Sequence, residues 1–188
     1  MRTTGIVLGL LFTASTVSAA VIHDESVDGD LATDPSAPTA VAFAVGSNTI
    51  NGTVENVTAL DRDYITFTIA SNQILTNLNL LGLSPDNIAF TAFNAGATSF
   101  IPGGATIGSF LAGIHISAAQ VGTDLMPLFD TASVTTNSLS APMLGPGTYC
   151  FMIQQTSPVS QAYSLEFVMQ SAVPTEPSTW GGMKARYR

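Results

Sequence analysis

Residues 48–69, NTINGTVENVTALDRDYITFTI, constrain the fold more than any other part of the chain. The second half of this stretch alternates between two sets of side chains: Ile65, Phe67 and Ile69 on one side, and Tyr64, Thr66 and Thr68 on the other. Successive side chains of a β-strand point to opposite faces, so the first set is predicted to face a core and the second to lie near solvent. The stretch therefore predicts a pair of strands joined through residues 55–61.

The rest of the chain repeats this pattern of short apolar runs separated by turn residues, from residues 41–45 to residues 163–169. No part of it is a convincing amphipathic helix. About eight or nine regularly spaced strands of this kind are typical of an all-β protein. The prediction is a single β-sandwich or jelly roll of about eight or nine antiparallel strands, spanning residues 41–170.

Residues 122–129 are ambiguous in this pattern. Either Thr123 or Asp124 is expected to cap one helical turn, because Ser, Thr, Asp and Asn side chains accept hydrogen bonds from the first amides of a helix. Pro127 is expected to stop that turn from continuing.

The N-terminal part of the chain predicts export. Residues 1–20 combine Arg2, a short apolar run over residues 6–12 and small residues at a cleavage site, which is typical of a secretory signal peptide. Residues 21–40 are rich in acids, with two prolines, and are predicted to be a flexible acidic N-terminus. Their acids do not have the spacing of an EF-hand calcium loop.

Charge excludes several classes of partner. Arg62 is the only Lys or Arg between Arg2 and Lys184, whereas the chain holds 13 Asp and Glu residues. An acidic body repels polyanions, so nucleic acid and anionic membrane surfaces are not predicted partners. Divalent cations and neutral surfaces such as polysaccharide remain open, and membrane contact is expected only through the signal peptide during export.

The C-terminal tail resembles the Val-Pro-Glu-Pro-Ser signature of PEP-CTERM sorting tails. The residues that carry the resemblance are Val173, Pro174, Glu176, Pro177 and Ser178, followed by the basic residues Lys184, Arg186 and Arg188. Thr175 interrupts the motif, and only residues 181–183 stand where such tails have a membrane helix. Residues 171–188 therefore resemble a degenerate tail. The resemblance implies an exported protein of a Gram-negative, polysaccharide-secreting bacterium. Sorting tails of this kind are processed by exosortases. Because the membrane helix is missing here, release of the protein is favoured over retention in the membrane.

The body resembles bacterial pre-peptidase C-terminal β-sandwich domains, which many PEP-CTERM proteins share. The motifs behind this resemblance are residues 48–54, residues 61–67, residues 144–149 and residues 163–167. It implies an exported, noncatalytic β-domain at the outer cell surface or outside the cell.

Asp61 and Asp63 are the one acidic pair worth testing as a metal site. Being two residues apart at the mouth of a strand, both carboxylates are expected to point the same way, and calcium takes six to eight oxygen ligands. Backbone carbonyls together with Asp86 or Asp130 would have to supply the remaining ligands. The preferred alternative is structural: Asp61 shapes the turn, Asp63 accepts hydrogen bonds from backbone amides, and Arg62 offsets their charge. No cofactor is predicted, and calcium is left open.

Other residues suggest ordinary roles. His115 alternates with Ile114 and Ile116 and is expected at the surface, and Cys150, the only cysteine, is expected to be a small buried apolar residue. No Gly-x-Ser-x-Gly or His-Glu-x-x-His motif occurs. Tyr64 is the aromatic side chain best placed to stack on a sugar. The alternative is a structural role, as a tyrosine half-buried at the edge of the sandwich.

Three functions are compatible with this sequence. The first is an exported, noncatalytic β-sandwich that acts as a structural or interaction module linked to exopolysaccharide or to other matrix proteins. The alternative is a carbohydrate- or calcium-binding module. The last is a hydrolase assembled from scattered Ser, His and acidic residues, which no motif supports.

Overall fold

The structure, a computed structural model of the 188-residue chain, describes residues 19–98, 110–155 and 157–172. Residues 1–18 of the predicted signal peptide lie outside this range. So does the sorting-like motif of Val173, Pro174, Glu176, Pro177 and Ser178, with the rest of the tail from residue 173 onward.

Strands dominate the described residues, as the alternating pattern predicts. Nine strands lie within them: β1 (Ala20–Asp24), β2 (Thr39–Ala40), β3 (Gly46–Glu55), β4 (Arg62–Ile69), β5 (Gln73–Ser84), β6 (Ala89–Ala95), β7 (Ala112–Ile116), β8 (Gly147–Gln155) and β9 (Ser160–Ser171). The described helices are short: α1 (Glu25–Asp28), α2 (Met126–Thr131) and one 3-10 helix (Ala118–Gln120). In this part of the chain, no helix has the length and apolar character of a membrane span.

Two sheets pack face to face and confirm the predicted all-β sandwich. One sheet has four strands in the order β1-β3-β9-β5, and the other has five in the order β2-β4-β8-β6-β7. Most neighbouring strands are antiparallel, as predicted, but β1 pairs with β3 and β2 pairs with β4 in parallel. Both exceptions come from the N-terminal segment, which reaches one sheet through β1 and the other through β2.

The core lies between the sheets and follows the predicted alternation. Ile65, Phe67 and Ile69 on β4 are at most 3 % exposed. The ring of Phe167 on β9 stands at right angles to that of Phe151 on β8, with 5.3 Å between centroids, so aromatic contacts connect the two sheets.

The predicted strand pair of residues 48–69 is present, but its two strands do not pair with each other. β3 belongs to the four-stranded sheet and β4 to the five-stranded sheet, so the loop between them crosses from one sheet to the other.

The expectation that Tyr64 lies near solvent was wrong. Tyr64 is completely buried, in a second apolar cluster on the outer face of the five-stranded sheet that it shares with Phe90, Ala92, Phe110 and Met152. The N-terminal segment also reaches this residue, because the Tyr64 amide donates a 3.0 Å hydrogen bond to the Ala32 carbonyl. A face that the pattern assigns to water is therefore covered by other parts of the chain.

The N-terminal segment was predicted to be flexible, and the structure instead places it against the sandwich. β1 pairs with β3 over Ala20–Asp24, and the Leu31 side chain is 2 % exposed within the main core. The buried leucine and the strand pairing therefore anchor a segment whose composition had predicted a flexible linker.

Two local predictions also need correction. Residues 41–45 do not form a strand. The pairing of β2 with β4 ends just after β2, where the Val41 amide donates a last hydrogen bond to the Thr66 carbonyl. The apolar pattern there reflects packing, because the Phe43 ring stacks on Phe167 at 4.7 Å.

Pro127 lies in the first turn of α2 and does not end the helix. The amide hydrogen that proline lacks would have no carbonyl partner within the helix at that position.

Candidate functional site

Three carboxylates from two distant parts of the chain meet at one end of β4. Glu25 begins α1, Asp30 follows it, and Asp63 is the second residue of β4. One carboxylate oxygen of each lies within 4.8 Å of those of the other two, and we call this group the acidic cluster. Asp30 is exposed, Glu25 is half-buried and Asp63 is buried. The cluster therefore extends from solvent into the protein.

Backbone hydrogen bonds hold Glu25 in the cluster. Its Oε1 accepts a 3.1 Å hydrogen bond from the Leu31 amide, and its Oε2 accepts a 2.7 Å bond from the Thr53 amide on β3. Asp24 caps α1 just before it, because its Oδ1 accepts from the Ser26 amide at 3.0 Å. Glu25 thus ties the N-terminal segment to the sandwich.

Asp63 is the buried member of the cluster, with 2 % of its surface exposed. Its Oδ2 accepts a 2.7 Å hydrogen bond from the Tyr163 hydroxyl on β9. Its Oδ1 has no hydrogen-bond partner within the described residues. Buried carboxylate oxygens are rarely left without a partner, because such a group loses its hydration and gains nothing in return.

Gly52 on β3 allows Tyr163 to approach Asp63. A Cβ atom at position 52 would lie 2.5 Å from the Tyr163 hydroxyl oxygen, closer than real Cβ contacts allow. A side chain at this position would displace the tyrosine ring from the acidic cluster.

Burial and charge together raise proton affinity in the cluster. Burial is the main reason that the pKa of Asp63 rises to about 8, and the charges of Glu25, Asp61 and Asp30 add to it, while the hydrogen bond from Tyr163 opposes it. Burial is also the first cause of the raised pKa of Glu25. The raised pKa values of Asp63 and Glu25 mean that this cluster binds a proton more tightly than ordinary carboxylates do.

An open cleft of about 260 Å³ adjoins the cluster. Asp24, Glu25 and Ser26 line one part of it, and Gly52 and Tyr163 line another. Solvent and small ions therefore have access to the Glu25 side of the cluster.

The predicted partners of Asp63 are not the ones that the structure brings to it. Asp61 accepts a 3.0 Å hydrogen bond from the Thr33 hydroxyl and is not one of the three cluster residues. Asp86 accepts from the Ala118 amide, and Asp130 lies on α2. Glu25 was missed because it lies in the segment that was interpreted as a flexible linker, and Asp30 was set aside because the acids of that segment lack the spacing of an EF-hand loop. The Asp24-x-Ser26 capping pattern was the local signal of an ordered turn.

The remaining candidate residues occupy structural positions. His23 donates from Nε2 to the Gly29 carbonyl at 3.0 Å, and exposed His115 lies beside the Phe90 ring. Within the described residues, neither histidine hydrogen-bonds a serine or cysteine, so the hydrolase hypothesis gains no support there. Cys150 is 1 % exposed, as predicted, and Tyr64 is too buried to stack on a sugar.

No protein-family model and no curated protein matches this chain. Among solved structures, it is similar to PliG of Salmonella Typhimurium, a periplasmic lysozyme inhibitor of g-type lysozyme. The two are 14 % identical with a TM-score of 0.35, over 71 % of this chain and 100 % of that one. It is also similar to a mutant of PliG-Ec from Escherichia coli, likewise a periplasmic lysozyme inhibitor of g-type lysozyme. Here identity is 15 % and the TM-score 0.33, over 70 % of this chain and 96 % of that one. Likenesses this weak carry no inference about function.

Proposed function

We propose that this chain is an exported, noncatalytic β-sandwich that binds other macromolecules at the cell exterior, in a matrix that contains exopolysaccharide. Export is supported by the signal-peptide pattern of residues 1–20 and by the sorting-like tail. The bound partner is another matrix protein or a polysaccharide.

The observation that carries this proposal is the charge of the folded body. In residues 19–172, twelve acidic residues stand against one cation, Arg62. Such a surface repels polyanions and favours partners that are neutral, cationic or bridged by cations. The acids are concentrated on the N-terminal segment and the start of β4, so one end of the sandwich is the proposed contact surface.

Fractionation of the native host tests the proposal. We expect the protein in the extracellular or outer-surface fraction, and we expect it to co-purify with matrix material. Finding the protein in the cytoplasm would refute export. A secreted protein that shows no retention on host matrix, compared with matrix-free medium, would refute the binding role.

A further inference from the structure

We propose that Glu25, Asp30 and Asp63 form a binding site for a hard divalent cation, with calcium as the ion that the ligand set fits best. The site lies within the proposed contact surface, but it rests only on the local arrangement of side chains and does not need the matrix function.

The spacing of the acidic cluster matches a single ion. Calcium binds oxygen ligands at about 2.3–2.6 Å, so two ligands of one ion stand at most about 5 Å apart. One oxygen from each of Glu25, Asp30 and Asp63 lies within 4.8 Å of the other two. One cation placed among them can contact all three without a large change in the fold.

The buried Asp63 oxygen is a second and independent observation. Asp63 is 2 % exposed, and its Oδ1 has no hydrogen-bond partner in the described part of the chain. A buried carboxylate requires either a proton or a compensating positive charge. A bound cation can supply that charge to a carboxylate that accepts a hydrogen bond at Oδ2 and has no partner at Oδ1 among the described residues.

No Lys or Arg side chain of the described residues competes for the cluster. Arg62 is the only Lys or Arg within residues 19–172, and the alternation of β4 places it on the opposite face from Asp63. Its charge acts on Tyr64, which lies on the same face as Arg62. The three carboxylates therefore have no Lys or Arg side chain within residues 19–172 to neutralise them, and the nearby His23 ring donates from Nε2 to the Gly29 carbonyl.

The ligand chemistry selects the kind of ion. The cluster offers only carboxylate oxygens, which suit hard cations, whereas nitrogen and sulfur ligands suit zinc and copper. Calcium tolerates irregular geometry, and magnesium requires a nearly ideal octahedron. Asp30 and Glu25 face the solvent side, from which water molecules can complete the coordination.

Such an ion would connect parts of the chain that sequence separates. Glu25 and Asp30 belong to the N-terminal segment, which starts in the four-stranded sheet through β1, and Asp63 belongs to the five-stranded sheet. Bound calcium would therefore fasten the N-terminal segment across the end of the sandwich.

The test uses the full-length chain, freed of metal with EDTA and dialysed. Titration with calcium chloride in a calorimeter should show saturable binding. Calcium at a hundredfold excess over its Kd should raise the Tm by roughly 5–10 °C. Asp63→Asn and Asp30→Asn should each weaken calcium affinity by about tenfold or more, since each removes one charged ligand. The control Asp130→Asn, on α2 outside the cluster, should bind calcium like the wild type.

Asp30 is exposed, so Asp30→Asn keeps the test valid even if Asp63→Asn fails to fold. Absence of both binding heat and a Tm shift at millimolar calcium would overturn the proposal. An equal loss of affinity in Asp130→Asn would overturn it too, because binding would then follow overall charge. Equal affinity for magnesium chloride would overturn the assignment to calcium.

Discussion

The Tyr163 hydroxyl on β9 donates a 2.7 Å hydrogen bond to Asp63 Oδ2 on β4, and this buried bond joins the two sheets of the sandwich. The two residues are 100 positions apart in the chain. The contact lies beside the acidic cluster, so the stability of the sandwich and the chemistry of the cluster depend on the same pair.

We expect Tyr163→Phe to lower the free energy of unfolding by about 1–3 kcal/mol, because it leaves a buried carboxyl group without its donor. Urea unfolding in EDTA measures the change. The control is Tyr149→Phe, whose half-buried hydroxyl donates to the Gly145 carbonyl at 3.1 Å and which should cost less. Equal losses in the two variants would contradict a special role for the bond between the sheets.

Gly52→Ala should destabilise the protein by about 1–3 kcal/mol, since the new methyl group would overlap the Tyr163 hydroxyl and force the ring to move. Gly82→Ala on β5 is the matched control, because its Cβ would meet the Ser164 Cβ at 3.7 Å, an ordinary contact. Thermal unfolding compares the two, and a Gly52→Ala variant as stable as Gly82→Ala would contradict the close approach.

In the metal-free protein, stability should decrease as the pH rises from 5 to 9. Burial first, then the charges of Glu25, Asp61 and Asp30, raise the pKa of Asp63 to about 8, against the opposing hydrogen bond from Tyr163. The folded state then holds this proton more tightly than the unfolded state. Its contribution to stability is complete below the unfolded pKa and disappears as the pH passes about 8.

Urea unfolding in EDTA at several pH values measures this dependence. Asp63→Asn should remove most of the slope, because the amide does not titrate. If Asp63→Asn showed the same dependence of unfolding free energy on pH as the wild type, the effect would come from other titratable groups.

Leu31→Ala should cost about 2–5 kcal/mol, as expected for truncating a buried leucine. Val27→Ala on α1 is the control, because Val27 is 81 % exposed and its truncation should change little. Denaturant unfolding distinguishes the two models of the N-terminal segment. If Leu31→Ala were also neutral, the segment would be flexible, as its composition suggests.

Gln161→Met should destabilise the protein by about 1–3 kcal/mol, because Gln161 is fully buried and donates to the Pro85 and Asn87 carbonyls at 2.8 and 2.9 Å. Methionine has a similar length but cannot donate these bonds. Gln154→Met, at a half-buried position on β8, is the control and should have a small effect. Chemical denaturation of both variants measures the difference, and equal effects would argue against the buried network.

The local pattern of the chain was enough to predict strands β3 to β9 and the side of β4 that forms the core. Ile65, Phe67 and Ile69 are buried as the alternation predicts, because a period of two is a property of the strand backbone itself. Alternation also correctly placed His115 at the surface, and the apolar run of residues 149–153 correctly indicated that Cys150 is buried.

Only the tertiary structure decided which residues meet. Tyr64 is buried because other parts of the chain cover its face, and alternation says nothing about what covers a strand. Asp63 was singled out from its position at the mouth of a strand, but its neighbours Glu25 and Asp30 come from a segment whose composition resembles a linker. The sequence by itself determined the alternating strands and the scarcity of cations. The acidic cluster depends on a crossing between two sheets, which brings together residues that no local spacing relates.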